Sequence, residues 1–498
     1  MEAVREPQHA QSSSISLRAQ YAVYALALAV SLSTWFIVIR APLWLDETVS
    51  FFLIKGGFHG ILSRQVWPDS PVYSCLLWLW TRAMGTGELM LRISSVLPML
   101  AAVYLLYRAA RQLFAWDVAM ITIIVFCLHP IIIFAAIDVR PYAFAALALN
   151  ATILALVHLR HNDSNWMAAV FGLLAACVVE FQMLFAVILP ALLLCFVASK
   201  LHDRKVLWRQ LSIALLVFAI AFGPIVPRLQ DMMRTSGTHV FSEPPRLLQL
   251  ISTLTVRGLV IVLIVFLAVA AFRRQLRRRG WDGWTVLVCT SLALVPLLIL
   301  YGLSVGTSIH VFVPRYRLEA VPGIALCWGL AASRIDSRNL RLWFCTALVA
   351  VAAIVCFTAR SFHRHMYSWK YAVALAEKKA TPDNAPVVIC SDLPEADHTR
   401  MPEGAAIAES GLLPQLSYYK LTVPVVPLPR ALNDEAKRAG TEFLERAEQQ
   451  HQRFLAMAFV ESFPTLDWLS KQAASAYTVR ELGTLDGVRV LEFVPRNG

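Results

Sequence analysis

Long apolar runs follow one another along most of this sequence, the first at Tyr21–Val38 and the last ending near residue 359, with short polar turns between them. A run of about 20 apolar residues is long enough to cross the hydrocarbon core of a bilayer. Inside that core every backbone N–H and C=O must be satisfied within the protein, so the runs are expected to be helices. Composition agrees: 58% of the residues are hydrophobic and only 16% charged, against about 25% charged in soluble domains. The Tyr21–Val38 run is too long for a signal-peptide core and lacks a small-residue cleavage site, so it reads as a retained first span. The chain is therefore expected to be a polytopic α-helical membrane protein.

About eleven spans are expected, near residues 21–39, 93–107, 118–136, 142–158, 166–179, 184–199, 210–227, 256–272, 284–302, 316–332 and 342–359. The net charge is +12, and most basic clusters flank apolar runs. With the N-terminus cytoplasmic, Arg108 and Arg111, Arg160, Lys200 to Arg209, Arg273 to Arg279 and Arg334 to Arg341 all fall on the inner side, as the positive-inside rule requires. The charge thus has a topological reading; no aromatic-basic platform points to nucleic acid. Nine scattered cysteines form no C-x-x-C pair, so neither a disulfide framework nor a thiolate metal site is expected.

Residues 40–92 form a long outer loop with two amphipathic stretches, "DETVSFFLIKGGFHGIL" and "PVYSCLLWLWTRAMG", suited to interfacial helices with Trp67, Trp78 and Trp80 as anchors. A second outer loop, from Arg228 to about Thr255, holds "HVFSEPPRLLQL", where Pro244-Pro245 stops a helix. Two domains follow: a membrane domain over 1–359 and a C-terminal α/β domain over 360–498, which eleven crossings place outside. The latter reads as a helix near Trp369–Lys379, strand "APVVICSD", helix "LNDEAKRAGTEFLERAEQQ", strand "FLAMAFV", helix "TLDWLSKQAASA" and strands "YTVREL" and "VRVLEFV" joined through Asp486-Gly487.

This topology collects ionisable residues at the outer membrane boundary. Asp46 and Glu47 follow span one; Asp138, Arg140 and Tyr142 lie between spans three and four; Glu180 falls between spans five and six; Arg315 and Tyr316 begin span ten. Ionisable groups at membrane depth are costly and mark functional sites by default. Bland readings stand beside this one: Asp46 fits a helix N-cap, Glu47 a solvated charge, Asp138 with Arg140 an ion pair, Arg315 and Arg317 headgroup anchors, and Arg92 a snorkelling side chain. Acids with arginines at headgroup height suit transfer of a sugar from a polyprenyl phosphate. There the leaving group is already a phosphate, one base must deprotonate the acceptor hydroxyl, and cations must hold the charge that grows on the departing phosphate. Hydrolytic glycosidases need two flanking carboxylates instead.

The motifs resemble those of the GT-C glycosyltransferases, near the bacterial protein O-mannosyltransferases and the lipid A aminoarabinose transferase. "WLDETVSFF" is similar to the acidic motif of that family's first outer loop, and "DSPVYSCLLWLW" to its Pro-Pro-Leu-Tyr segment. "LRISSVLPML" resembles its Arg-x-x-Ser span, "IDVRPYAFAAL" its Arg-x-Tyr stretch, and "PRYRLEAVPGIAL" its Arg-Tyr stretch before a proline. The resemblance implies a GT-C membrane domain with an extracytoplasmic α/β domain in a bacterial inner membrane, acting on the periplasmic face. Asp46 would be the catalytic base or position the acceptor, with Glu47 supporting it. Tyr73, Arg92, Arg140, Tyr142, Arg315 and Tyr316 would bind the lipid-phosphate substrate, and Asp138 would help hold a metal or order the site. A divalent cation is possible, with Asp46 and Asp138 as ligand candidates. Partners would be a polyprenyl-phosphate sugar lipid and an acceptor glycan, lipid or protein.

The rival class is a polytopic transporter or lipid flippase, which would bind near the bilayer midplane, often between inverted repeats; mid-span charges are nearly absent and no repeat is visible. "GLSVG" at Gly302–Gly306 lacks the strand-turn-helix setting of a serine nucleophile. The histidine pairs at 158–161 and 363–365 fall on different sides. No phosphate-cradling glycine loop is present.

Overall fold

The computed structural model describes residues 16–63, 70–234, 244–256, 258–277, 280–308, 310–358, 367–402 and 404–496. Trp67, His363–His365 and the first residues of "HVFSEPPRLLQL" lie outside these.

The membrane domain is helical throughout. Its elements are α1 (Leu17–Ser33), α2 (Leu45–Ile54), α3 (Gly57–Ser63), α4 (Pro71–Met84), α5 (Glu88–Leu113), α6 (Trp116–Leu128), α7 (Pro130–Ala135), α8 (Tyr142–His161), α9 (Asn165–Phe181), α10 (Leu189–Lys200), α11 (Arg204–Phe222), α12 (Val226–Arg234), α13 (Leu247–Leu254), α14 (Val260–Phe272), α15 (Gly283–Gly306), α16 (Val321–Ala332) and α17 (Arg338–Thr358). Each expected span falls on one or two of these helices. Seven helical stretches among the described residues are long and apolar enough to cross a membrane, and three shorter apolar helices accompany them. Outward faces such as Leu215, Leu216 and Ile220 on α11 and Ile261 and Ile264 on α14 are exposed, which suits a lipid solvent rather than water.

Prolines break three of the expected spans. Span three ends at Leu128 and restarts at Pro130, with His129 Nδ1 accepting the Ile131 N–H. Span six opens as a 3₁₀ turn, Met183–Ile188, ahead of Pro190, and span seven turns at Gly223-Pro224. Proline removes a ladder donor and clashes with the preceding turn, so the helix reorganises there. Tight crossings use glycine. A Cβ on Gly323 of α16 would come within 2.3 Å of the α15 backbone, and one on Gly172 of α9 within 2.2 Å of the Ala214 carbonyl on α11; small residues let helices approach this closely where lipid offers no hydrophobic drive.

The segment after α1 is helical, with α2 and α3 separated at Gly56-Gly57, both at positive φ. Ser70 caps α4 by accepting the Tyr73 N–H, and Pro71 occupies the first helical position, where its missing N–H costs nothing.

The C-terminal domain comprises α18 (Lys370–Ala380), β1 (Val387–Cys390), α19 (Ile407–Ser410), α20 (Gln415–Tyr418), β2 (Val425–Leu428), α21 (Asp434–Gln449), β3 (Phe454–Phe459), α22 (Phe463–Ala473), β4 (Tyr477–Leu485) and β5 (Val488–Pro495). The sheet order is β2-β1-β3-β5-β4; the first three strands are parallel and the last two antiparallel. Residues alternate between two cores. Val387 and Ile389 of β1 pack with α18, whereas Val388 and Cys390 pack with α21 and α22. Asp486 and Gly487 both have positive φ, the geometry of a tight hairpin turn. Strand β2 was not expected: Pro427 sits inside it, and proline is tolerated there because β2 is an edge.

Candidate active site

Everything in the site hangs on how α2 begins. After α1 the chain turns at residues 34–44 and leaves carbonyls pointing inward. Arg92 of α5, fully buried, collects them. Its five N–H donors go to the Val38, Ile39 and Pro42 carbonyls and, bidentately, to Glu47, with Nη2–Oε2 at 2.9 Å. A guanidinium has five such donors, so Arg92 has none left for a substrate. The expectation of Arg92 as a lipid contact gives way to a structural role, and the snorkelling alternative fails with it. Glu47 is equally buried, not a solvated charge. It also accepts the N–H groups of Trp44, which starts α2, and Val139 in the next outer loop. Glu47, not Asp46, therefore closes the first turn of α2. One helical turn beyond Arg92, Ser95 donates to the Asp138 carbonyl at 2.6 Å. The Arg-x-x-Ser spacing thus lets α5 fasten both outer loops from one face.

With Glu47 turned inward, Asp46 is left facing the opposite loops. Its Oδ2 lies 2.7 Å from Arg315 Nη1, and both side chains are about three-quarters covered (21% and 25% exposed). Arg140 Nη1 reaches the Asp46 carbonyl at 3.4 Å. Tyr142 and Tyr316 complete the group: Tyr142 interacts electrostatically with Arg315, Arg140, Tyr316 and Asp46, and Arg315 lies over the Tyr316 ring at 5.3 Å. Residues from three separate stretches thus meet in one place.

Asp138 is buried beside this group. Trp44 Nε1 donates to its Oδ1 at 3.0 Å, and its Oδ2 has no hydrogen-bond partner. Burial, then the neighbouring Glu47 carboxylate, push its pKa well above the ordinary carboxylate range. Of the two metal-ligand candidates, Asp46 pairs with Arg315 and Asp138 takes Trp44 on Oδ1 only, and no cluster of three His, Cys, Asp or Glu joins them among the described residues. Tyr73 is buried in the apolar cluster of Leu43, Leu77, Leu91 and Val139, edge-on to Phe144, apart from the Asp46 group. Glu180 pairs with Arg228 and accepts from Ser70. Arg317 turns away from the surface to Thr253 Oγ1 at 2.6 Å and the Gln249 carbonyl. Ser304 of "GLSVG" accepts the Val311 and Phe312 N–H groups, a loop-closing role.

The sequence reading missed what the C-terminal domain brings. Tyr419 accepts the Leu43 N–H at 2.7 Å and donates to Glu88 at 2.9 Å, while Lys370 pairs with Glu88 at 2.8 Å. Leu393, in the loop after β1, packs on Val49, Phe52 and Leu53 of α2. The preceding residue, Asp392, lies at the carboxyl end of β1, and Glu461 follows β3. These ends flank the point where the connections out of β1 and out of β3 diverge, the crevice that open α/β sheets use for ligands. Burial, then Glu461, raises the Asp392 carboxyl to about 7, with Asp46 also contributing and Arg430 opposing. A carboxyl whose pKa is raised on folding binds more protons folded than unfolded. Its protonated form therefore stabilises the fold below about pH 4, and that contribution is lost as pH rises through 7. Asp392→Asn is expected to raise the thermal midpoint at pH 8 more than at pH 5; equal shifts at both would refute the assignment.

Comparison with known proteins places this geometry. Residues 68–229 match the family described as dolichyl-phosphate-mannose-protein mannosyltransferase. No curated protein matches the sequence. The fold is similar to ArnT from Cupriavidus metallidurans in the apo state, at 13% identity and TM-score 0.58, covering 95% of this chain and 98% of that one. The same enzyme bound to undecaprenyl phosphate superposes at TM-score 0.54 and 13% identity, covering 94% and 97%. The arabinofuranosyltransferase AftD from Mycobacteria gives 0.51 at 14% identity, covering 97% of this chain and 40% of that one. The fold is thus shared over nearly the whole of this chain, which is a multi-pass helical protein of the GT-C fold class.

Proposed function

We propose that this protein is a glycosyltransferase that moves a sugar from a polyprenyl-phosphate carrier to an acceptor hydroxyl, on the periplasmic face of a bacterial inner membrane. The observation that carries this reading is the Asp46–Arg315 pair, with Arg140, Tyr142 and Tyr316 around it. The match to a family named for a lipid-phosphate-sugar donor, and the likeness to a protein solved with undecaprenyl phosphate, support it.

In this reading Asp46 takes the proton of the acceptor hydroxyl. The acceptor oxygen bonds the anomeric carbon, and the bond from that carbon to the phosphate oxygen breaks. The electron pair leaves with the polyprenyl phosphate, whose growing charge Arg315, Arg140 and the two tyrosines hold. The resting pair couples the two halves of the reaction. An arriving phosphate draws Arg315 to itself and frees the Asp46 carboxylate for the acceptor. Asp392, which interacts electrostatically with both Glu461 and Asp46, suits acceptor hydroxyls from the C-terminal domain. The basic turns support the periplasmic side of this reading, since they gather at the opposite helix ends, where Lys200 meets Asp163 and Arg160 meets Asp282.

The test is Arg315→Gln against a panel of polyprenyl-phosphate sugars. Removing one such charge-holding group is expected to lower transfer by about 10²–10³-fold, with partial recovery in Arg315→Lys. Unchanged transfer in Arg315→Gln would sink the role.

A further inference from the structure

A second polar cavity, of about 410 Å³, lies at the other end of the bundle from Asp46. From Arg92, which holds the start of α2, to Gln112 at the cavity, helix α5 rises roughly 30 Å at about 1.5 Å per residue. Gln112, Phe114, Arg277, Trp281, Asp282 and Arg341 line the cavity, together with the start of α6 at Ala115 and Val118. The transfer reaction uses none of them.

Arg341 is the central feature. It is 3% exposed. Its Nε donates to Asp117 at 2.7 Å and its Nη1 to the Ile335 carbonyl. Its Nη2 makes no hydrogen bond among the described residues, so two N–H donors are left over on a residue that lines the cavity. Beside it, α6 begins at Ala115 with no side-chain cap, and the free N–H groups of a helix start favour an anion. Arg277 spends its Nε on Asp336 and stays half exposed at the mouth. Arg334 stacks on Trp281 at 4.2 Å.

The local carboxylates are already committed. Asp117 takes Arg341 and the Val118 N–H, Asp282 takes the start of α15 and Arg160, and Asp336 takes Arg277. Against these three acids stand Arg160, Arg277, Arg334 and Arg341, so the cavity favours an anion. Phe114 and Trp281 give it an apolar wall level with the helix ends, where phospholipid headgroups lie.

We infer that this cavity binds a phosphate group, supplied by the headgroup of an anionic phospholipid in the leaflet opposite the Asp46 site. The lipid's phosphate sits between Arg341 Nη2, the α6 N-terminus and Arg277, with its glycerol end against Trp281. The site does not depend on the transfer reading.

The test uses full-length protein in phosphatidylcholine nanodiscs, with phosphatidylglycerol added and retained lipid read by native mass spectrometry. Arg277→Gln removes a cation at the mouth, and Gln112→Glu places an anion there; neither breaks the Arg341–Asp117 pair. Each is expected to weaken phosphatidylglycerol retention by about fivefold, whereas Arg209→Gln, on another basic turn, leaves it unchanged. Equal retention by all four proteins overturns the site. Inorganic phosphate is titrated in parallel by thermal shift. If it stabilises the wild type but not Gln112→Glu, while phosphatidylglycerol retention is the same in every variant, the source is soluble phosphate and the lipid assignment is overturned.

Discussion

Asp46→Asn is expected to lower sugar transfer by about 10²–10⁴-fold, the usual worth of a positioned general base, with the fold unchanged. Asparagine keeps the size of the side chain and removes its charge together with its basicity. Asp46 plays no part in closing the α2 helix, since Glu47 does that, so stability should hardly move. The same substitution releases Arg315 from its 2.7 Å partner. Donor binding should therefore stay level or tighten while turnover collapses, a split between KM and kcat that a misfolded variant would not give. Initial rates at saturating donor, with a thermal melt of the same preparation, separate the cases. Full turnover in Asp46→Asn would remove the base.

The second large effect is on stability. Arg92→Met leaves the buried Glu47 carboxylate without its cation, and breaking one side of a buried pair costs about 3–5 kcal/mol. The usual remedy, replacing both partners by apolar residues, should fail here. Arg92 also satisfies three carbonyls and Glu47 two backbone N–H groups, and an unmet buried polar group costs about 1–3 kcal/mol. The double variant Glu47→Met with Arg92→Met is thus expected to melt as low as either single one. Recovery of the wild-type midpoint in the double variant would show that the pair acts alone.

These contrasts also show what the sequence could reveal. Hydropathy located the helices because the bilayer imposes length and apolarity on each one. It could not see the breaks at Pro130, Pro190 and Pro224 as separate elements, because the runs stay apolar across them. The gathering of Asp46, Arg140, Tyr142, Arg315 and Tyr316 was legible from topology alone, since alternating crossings bring their loops to one side. Arg92 and Glu47 were misjudged for a definite reason. A buried ion pair and a substrate site demand the same residue types at the same membrane edge, and only the carbonyls left at 38, 39 and 42 tell them apart. Asp392 and Tyr419 carried no signal, because their place depends on how the α/β domain docks on α2.

Turnover of a lipid-linked sugar tests the central claim most directly. Purified protein in vesicles is offered a panel of polyprenyl-phosphate sugars and a membrane extract as acceptor source, and free polyprenyl phosphate is measured. Release of polyprenyl phosphate from at least one of them, dependent on acceptor, is the expected result. Release from none of them, together with failure of polyprenyl phosphate itself to bind, would contradict it.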